Sequence, residues 1–297
     1  MLEHYSSMHQ GLGLQAAARH PDQGLQVLAM LHDATRSQVE QDLLWPVCAS
    51  LQRLGHSLLV LDASQSESAG APGLLQLLDQ DWLQVRAAGL GHQASMQTAA
   101  AEADALGPVA VLPARQGLAQ LSVRAGRAGL APMVWLQRYL RGYALVMVYA
   151  EATHLARALQ GLVLTPLMAL PEDGCDVLRC YRQLKQLAAS GLRCLLAPLE
   201  PQPAETVAMR YDWGRSQSSA LSQTQDARKR RQQIQALLQC AQRHLGQAPR
   251  LMPLRAGQRP DLQRLTLHLL NHAGRVPAPG GAAAGLASSP ATSAWSH

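Results

Sequence analysis

The sequence predicts an α/β fold: a mostly parallel central sheet with helices on both faces. Three observations carry that expectation. Short apolar runs bounded by polar residues recur along the chain, the pattern of buried parallel strands. Segments with apolar residues at helical spacing lie between them. The first such trio, residues 25–64, reads as a complete strand–helix–strand unit that ends on an aspartate, Asp62.

In chain order, residues 1–23 form a leader before the first strand at 25–31. Val39, Leu43, Leu44, Val47, Cys48, Leu51 and Leu54 then recur at helical spacing, and Gly55 stands where a helix C-cap usually stands. Pro46 interrupts this pattern, because proline inside a helix costs about 3 kcal/mol. Either the helix kinks there or it begins near Trp45, after a longer loop. The second strand is 57–61, and 64–73 is a polar loop. Leu74, Leu75, Leu77 and Leu78 open a short helix, and the alanine-rich stretch 93–106 is a second helical candidate. A third strand is expected at 107–113, and an amphipathic helix at 130–141 with Pro132 in its first turn. Residues 143–149 read as a strand that is apolar on both faces.

The second half continues the alternation. Strands are expected at 162–167, 192–197 and 250–254, and helices at 172–189, 225–245 and 261–272. Residues 199–222 read as a polar connection. The helix at 225 starts with Arg228, Lys229, Arg230 and Arg231, read as a solvated face with an acidic-lipid or partner patch as the alternative. The helix at 261–272 is read as packed on the sheet, with lipid binding as the alternative. The domain division is therefore a leader at 1–23, one α/β domain at 24–273 and a disordered tail at 274–297.

Composition sets the class. The 297 residues are 47% hydrophobic and 15% charged, enough to bury one large core. The net charge of +6 is spread evenly, and no nucleic-acid surface is expected from it. The five cysteines, Cys48, Cys175, Cys180, Cys194 and Cys240, form no CxxC pair, and the eleven histidines form no HExxH or HxH pattern. No metal site or disulfide framework is expected. Neither a secretory leader nor a membrane-spanning run is visible, so the expected location is the cytoplasm.

The unit at 25–64 resembles the opening of the MinD/ParA group of P-loop ATPases, most closely its flagellar branch, FlhG (also FleN). That family carries a strand, the loop G-K-G-G-V-G-K-T, a helix ending L-x-x-L-G, and a strand ending D-A-D. Counted back without gaps from Leu54-Gly55, the loop falls on residues 34–41, Ala-Thr-Arg-Ser-Gln-Val-Glu-Gln. A P-loop wraps phosphate with backbone N–H groups freed by glycine, adds a lysine charge, and holds Mg²⁺ with Ser or Thr. Here no glycine remains. Glu40 stands at the lysine position and Gln41 at the metal-hydroxyl position.

The resemblance extends through residues 25–272. Asp62 matches the first aspartate of D-A-D, and Ser64 replaces the second. Residues 114–118 resemble the family's P-A-S-S-G-I segment. Tyr149 and Thr153 replace an aspartate that contacts Mg²⁺ through water and a γ-phosphate-sensing glycine. Pro198 replaces an adenine-reading asparagine. Tyr149 is read as a strand-end tyrosine with a solvated hydroxyl, with a ring that fills part of the vacated site as the alternative. In the leader, His9, Gln10, Gly13 and Leu14 lie in a segment similar to the family's D-Q-A-x-G-L-R, which in FlhG relatives engages and stimulates the GTPase FlhF.

Five degenerate positions on separate loops lead to one functional expectation: a nucleotide-independent, FlhG-like regulator of flagellar number, placement or assembly that works by protein contact. Catalytic residues, metal, ATP and an ATP-driven dimer are not expected. The implied partner is an FlhF-like GTPase or another flagellar protein, at the inner membrane or cell pole if peripheral contact occurs. The alternatives are a divergent but active ATPase using ATP and Mg²⁺, and a scaffold from another MinD/ParA branch. The ATPase reading is short of cations, since Lys185 and Lys229 are the only lysines and Arg36 the nearest arginine.

Overall fold

The computed structural model describes residues 24–68, 70–79, 109–140, 142–200, 216–255 and 257–277, the side chains of 216–224 excepted. The alanine-rich stretch 93–106 and the leader lie outside these residues. The order of elements is β1 Gln26–Leu31, α1 Ser37–Arg53, β2 Leu58–Asp62, α2 Leu74–Asp79, β3 Ala110–Pro113, α3 Arg115–Arg127 and α4 Pro132–Leu136. It continues with β4 Leu145–Ala150, α5 Ala152–Ala158, β5 Leu167–Leu170, α6 Val177–Ala189, β6 Leu195–Glu200 and α7 Ser216–Leu245. The last elements are β7 Arg250–Leu251, β8 Leu254–Arg255, α8 Arg259–Asn271 and β9 Gly274–Arg275.

The sheet runs β3-β2-β4-β1-β5-β6-β7, with β8 also on β6 and β9 on β1. Every pairing is parallel except that of β9 with β1. This is the expected mostly parallel α/β sheet. β1 and β4 sit at its centre, in register from Gln26↔Leu145 to Leu31↔Ala150, and β4 is buried along its whole length. Burial on both faces explains why these strands read as continuous apolar runs. One face packs on α1 and α8 through Leu44, Val47, Leu51 and Leu265. The other packs on α2–α7 through Leu74, Leu118, Leu136, Leu155, Leu184 and Leu237.

Helix α1 resolves the Pro46 question. The helix begins at Ser37 and passes through Pro46. Pro46 and Asp42 are both exposed, so the Asp42 carbonyl that loses its i+4 donor faces water. Gly55 follows the helix at φ 88, the left-handed stop that its position predicts.

Several boundaries differ from expectation. Of the range 130–141, the described residues 130–140 make the short helix α4 and a 3₁₀ turn, Gln137–Tyr139, because Tyr139 and Leu140 turn into the core. Residues 162–166 are not a strand: Val163 is 94% exposed, and Pro166, which has no N–H, comes just before β5. Helix α6 starts at Val177 rather than 172, behind Gly174 at φ 112 and an Asp176 cap that accepts from the amides of Leu178 (3.0 Å) and Arg179 (3.2 Å). The strand expected at 192–197 is shifted to β6. Helix α7 begins at Ser216, well before 225. The strand expected at 250–254 is split into β7 and β8, and the gap between them falls opposite Ala197 and Pro198, where the proline has no donor to offer. The domain also continues past 273, since β9 adds an antiparallel strand beside β1. Helices α3 and α5 were not anticipated.

Helix α3 generates a paired prediction. A Cβ on Gly117 would lie 2.5 Å from Leu74 Cβ, whereas one on Gly126 would meet nothing within 4 Å. Gly117→Ala is expected to cost about 1–3 kcal/mol. Gly126→Ala is expected to gain up to about 1 kcal/mol. Urea denaturation of both variants reads the opposite signs.

Candidate functional site

The C-terminal ends of β1, β2 and β4 meet the start of α1, and the degenerate positions Glu40 and Tyr149 converge there with the retained Asp62. β1 runs on into His32 and Asp33. The chain turns through Ala34–Arg36 and enters α1, which turns Glu40 back under the strand ends. Glu40 is wholly buried and lies in the first turns of the helix, where a negative charge is favoured.

One oxygen of Glu40 collects three donors. Its Oε2 accepts from the Asp33 N–H (2.9 Å) and the Tyr149 hydroxyl (2.8 Å), and lies 3.2 Å from His32 Nδ1. His32 Nδ1 is also 2.8 Å from the Tyr149 oxygen, and the two rings meet edge to face at 4.9 Å. With the proton on Nδ1, His32 donates into this pair while Tyr149 donates to Glu40. Burial, reinforced by the Glu40 charge and hydrogen bond, pushes the Tyr149 hydroxyl well above its ordinary value, which keeps it a donor. Tyr149 is 0% exposed. The expectation of a solvated hydroxyl is therefore corrected: the ring and its hydroxyl are built into the site.

The second half of the cluster is ionic. Asp33 Oδ2 accepts from Arg36 Nη2 (3.2 Å) and Gln183 Nε2 (2.8 Å). Asp33 Oδ1 accepts from the amide and hydroxyl of Thr35 and pairs with Arg179 Nη2 at 2.5 Å. Arg36 also donates to Gln183 Oε1 (2.8 Å) and the Ala169 carbonyl (3.2 Å). Its Nε and Glu40 Oε1 have no hydrogen bond among the described residues and face each other at 3.8 Å. Two carboxylates thus oppose two guanidinium groups, and the loop is tied to β5 and α6. Burial raises the Asp33 carboxyl, but Thr35, Arg36 and Gln183 outweigh it and hold the group at about 2.

Nearby acids follow the same pattern. Asp62 Oδ1 accepts the amide and hydroxyl of Ser64 (2.9 and 2.6 Å). The buried Glu67 reaches the start of α3 and accepts the amides of Gln116 (2.8 Å) and Gly117 (2.6 Å). The loop amides of Asp33, Thr35 and Ser64 and the first amides of α3 are thus bonded to carboxylates of this chain.

Gln41 is half-buried on α1, next to the cluster in sequence. Pro198 is buried in β6 opposite Leu170 of β5, and His9, Gln10, Gly13 and Leu14 lie outside the described residues. Asp33, Arg179, Gln183 and Glu67 were not singled out from sequence. A signal existed in residues 32–40, where His, Asp, Arg and Glu are gathered directly after a buried strand. No group of three or more His, Cys, Asp or Glu suited to a metal occurs among the described residues. None of their helices is long and apolar enough to cross a membrane.

No protein-family model and no curated protein matches the chain. Two solved structures show a distant likeness to it. The chain is similar to a solved partition protein at 12% identity and a TM-score of 0.38, over 84% of this chain and 67% of that one. It is similar to pnob8 ParA at 12% identity and a TM-score of 0.36, over 80% of this chain and 85% of that one. At these values the fold rests on the strand order described above, and no site residue is transferred.

Removing one partner from a buried charge cluster leaves the rest uncompensated. Glu40→Lys strips the acceptor from Asp33 and Tyr149 and sets a cation beside Arg36, so a loss of about 3–5 kcal/mol is expected. Tyr149→Phe removes one hydrogen bond and is expected to cost about 1–2 kcal/mol. Chemical denaturation ranks the two. Asp33 has a folded value below its unfolded one, so its contribution is present above about pH 4 and is lost as pH falls toward 2. The stability gap between wild type and Asp33→Asn is accordingly expected to narrow over that window in pH-dependent thermal melts.

Proposed function

We propose that this chain is a nucleotide-independent, FlhG-like regulator of flagellar number, placement or assembly, acting through protein contacts rather than an ATP cycle. The observation that carries the first half is the Glu40 carboxylate, which accepts the Asp33 loop amide and the Tyr149 hydroxyl where the resembled family binds phosphate. An incoming polyphosphate would have to displace a buried, hydrogen-bonded carboxylate and would meet its charge. The ATPase alternative finds no support in Arg36, which is committed to Asp33, Gln183 and the Ala169 carbonyl. Lys185 and Lys229 stand exposed on α6 and α7. A dimer clamped by ATP is not part of this reading.

The second half rests on the leader resemblance at His9, Gln10, Gly13 and Leu14, and names an FlhF-like GTPase as partner. The location it implies is cytoplasmic, with peripheral recruitment to the inner membrane or cell pole through that partner.

Two measurements separate the halves. Calorimetric titration with ATP or ADP and Mg²⁺ is expected to give no binding heat, and micromolar affinity would put the ATPase reading first. Added peptide 1–23 is expected to stimulate GTP hydrolysis by an FlhF-like GTPase, and alanine at Gln10 and Leu14 to remove that effect. A silent peptide would sink the flagellar assignment and leave the nucleotide result standing.

A further inference from the structure

A cavity of about 250 Å³ lies at the opposite edge of the sheet, at the N-terminal ends of β5, β6 and β7. Leu184 of α6, Leu192 of the segment before β6 and Leu245 at the end of α7 give it an apolar wall. Arg193, Arg250 and His272 complete the lining, which contains no carboxylate. The volume equals about eight waters at the liquid share of ~30 Å³ each, more than an ordered solvent molecule needs.

The positive charge here is uncompensated. Neither Arg193 nor Arg250 has an ion pair or side-chain hydrogen bond among the described residues. Burial, with smaller contributions from His272 and Arg250, holds His268 below the usual histidine value. His268 and His272 stack at 4.2 Å, and His272 Nδ1 donates to the His268 carbonyl at 2.9 Å, which leaves its Nε2 as the nitrogen available to a ligand.

We infer that this cavity binds a small amphipathic anion: a free carboxylic acid with a short apolar chain, its chain against Leu184, Leu192 and Leu245 and its carboxylate between Arg193 and Arg250. An apolar body alone makes no use of the two solvated guanidinium groups, and a bare inorganic anion leaves the leucine wall wet. The carboxylate class satisfies both ends. The site is separate from the Glu40 cluster, so the inference stands whatever nucleotides do there.

Octanoate is the probe, with about ten heavy atoms. At a per-atom efficiency between the limits for tiny and drug-sized ligands, the dissociation constant is expected at ~0.2 mM. Calorimetry or amide chemical shifts on the full chain read it. Octan-1-ol is expected to bind at least about tenfold more weakly, as is octanoate to the Arg193→Ala, Arg250→Ala double variant. Both arginines are exposed, so that variant is expected to fold, which circular dichroism checks. Ala188→Trp, which fills the cavity, is expected to abolish binding. Absence of octanoate binding to the wild type overturns the inference, as does equal affinity for the alcohol with no effect of the arginine pair.

Discussion

A carboxylate with no access to water must be neutralised by its surroundings, and the surroundings of Glu40 account for much of what is particular in this fold. Its desolvation is offset by the Asp33 amide, the Tyr149 hydroxyl, His32 and the facing Arg36. The four partners come from three places: the end of β1, the end of β4, and the entry to α1. Arg36 is then held by Asp33, Gln183 and the Ala169 carbonyl, which extends the constraint to β5 and α6. The central strands, α1 and α6 are therefore fixed by polar geometry as well as by apolar packing. Packing fixes position loosely in comparison, since hydrophobic contact has no direction.

The same solution recurs at other helix starts. A helix N-terminus exposes unpaired N–H groups and partial positive charge. Helix α6 takes Asp176 as its cap, α3 takes Glu67 from a distant loop, and the loop before α1 takes Asp33 and Glu40. Glycine matters where α2 and α3 come together, because a side chain on Gly73 would run into the Pro113 carbonyl. These contacts bring Glu67 within reach of α3. The opposite edge of the sheet inverts the chemistry: there arginines, not acids, are left facing a cavity.

The frame of the fold was legible because burial on both faces writes itself into strands such as 145–150 as unbroken apolar runs. The long helices with one apolar face were legible for the related reason of period. What failed was local. At Pro46 the sequence left a kink or a late helix start open, because a one-dimensional pattern does not say which side of a helix meets water. The strand expected at 162–167 had the composition but not the ladder, since a residue without an N–H precedes the pairing. Glu40 was identified at its position, and the loss of a lysine was visible there. That its charge is matched by Tyr149, 109 residues away, was not. Sequence shows which groups are present; only the crossover of α1 beneath β4 shows which of them meet. Asp33 and Glu67 went unremarked because acids in loops are common, and their burial is a property of the assembled sheet.

A bound metabolite comes and goes with its concentration, and a loop that depends on one changes with the state of the cell. The anion that orders the loop before α1 is a side chain on the adjoining helix. Its local concentration is set by the few residues of backbone between Asp33 and Glu40, and dilution cannot lower it. The side chains of α1, β4 and α6 that meet in this cluster are thus held in place by groups of the chain itself.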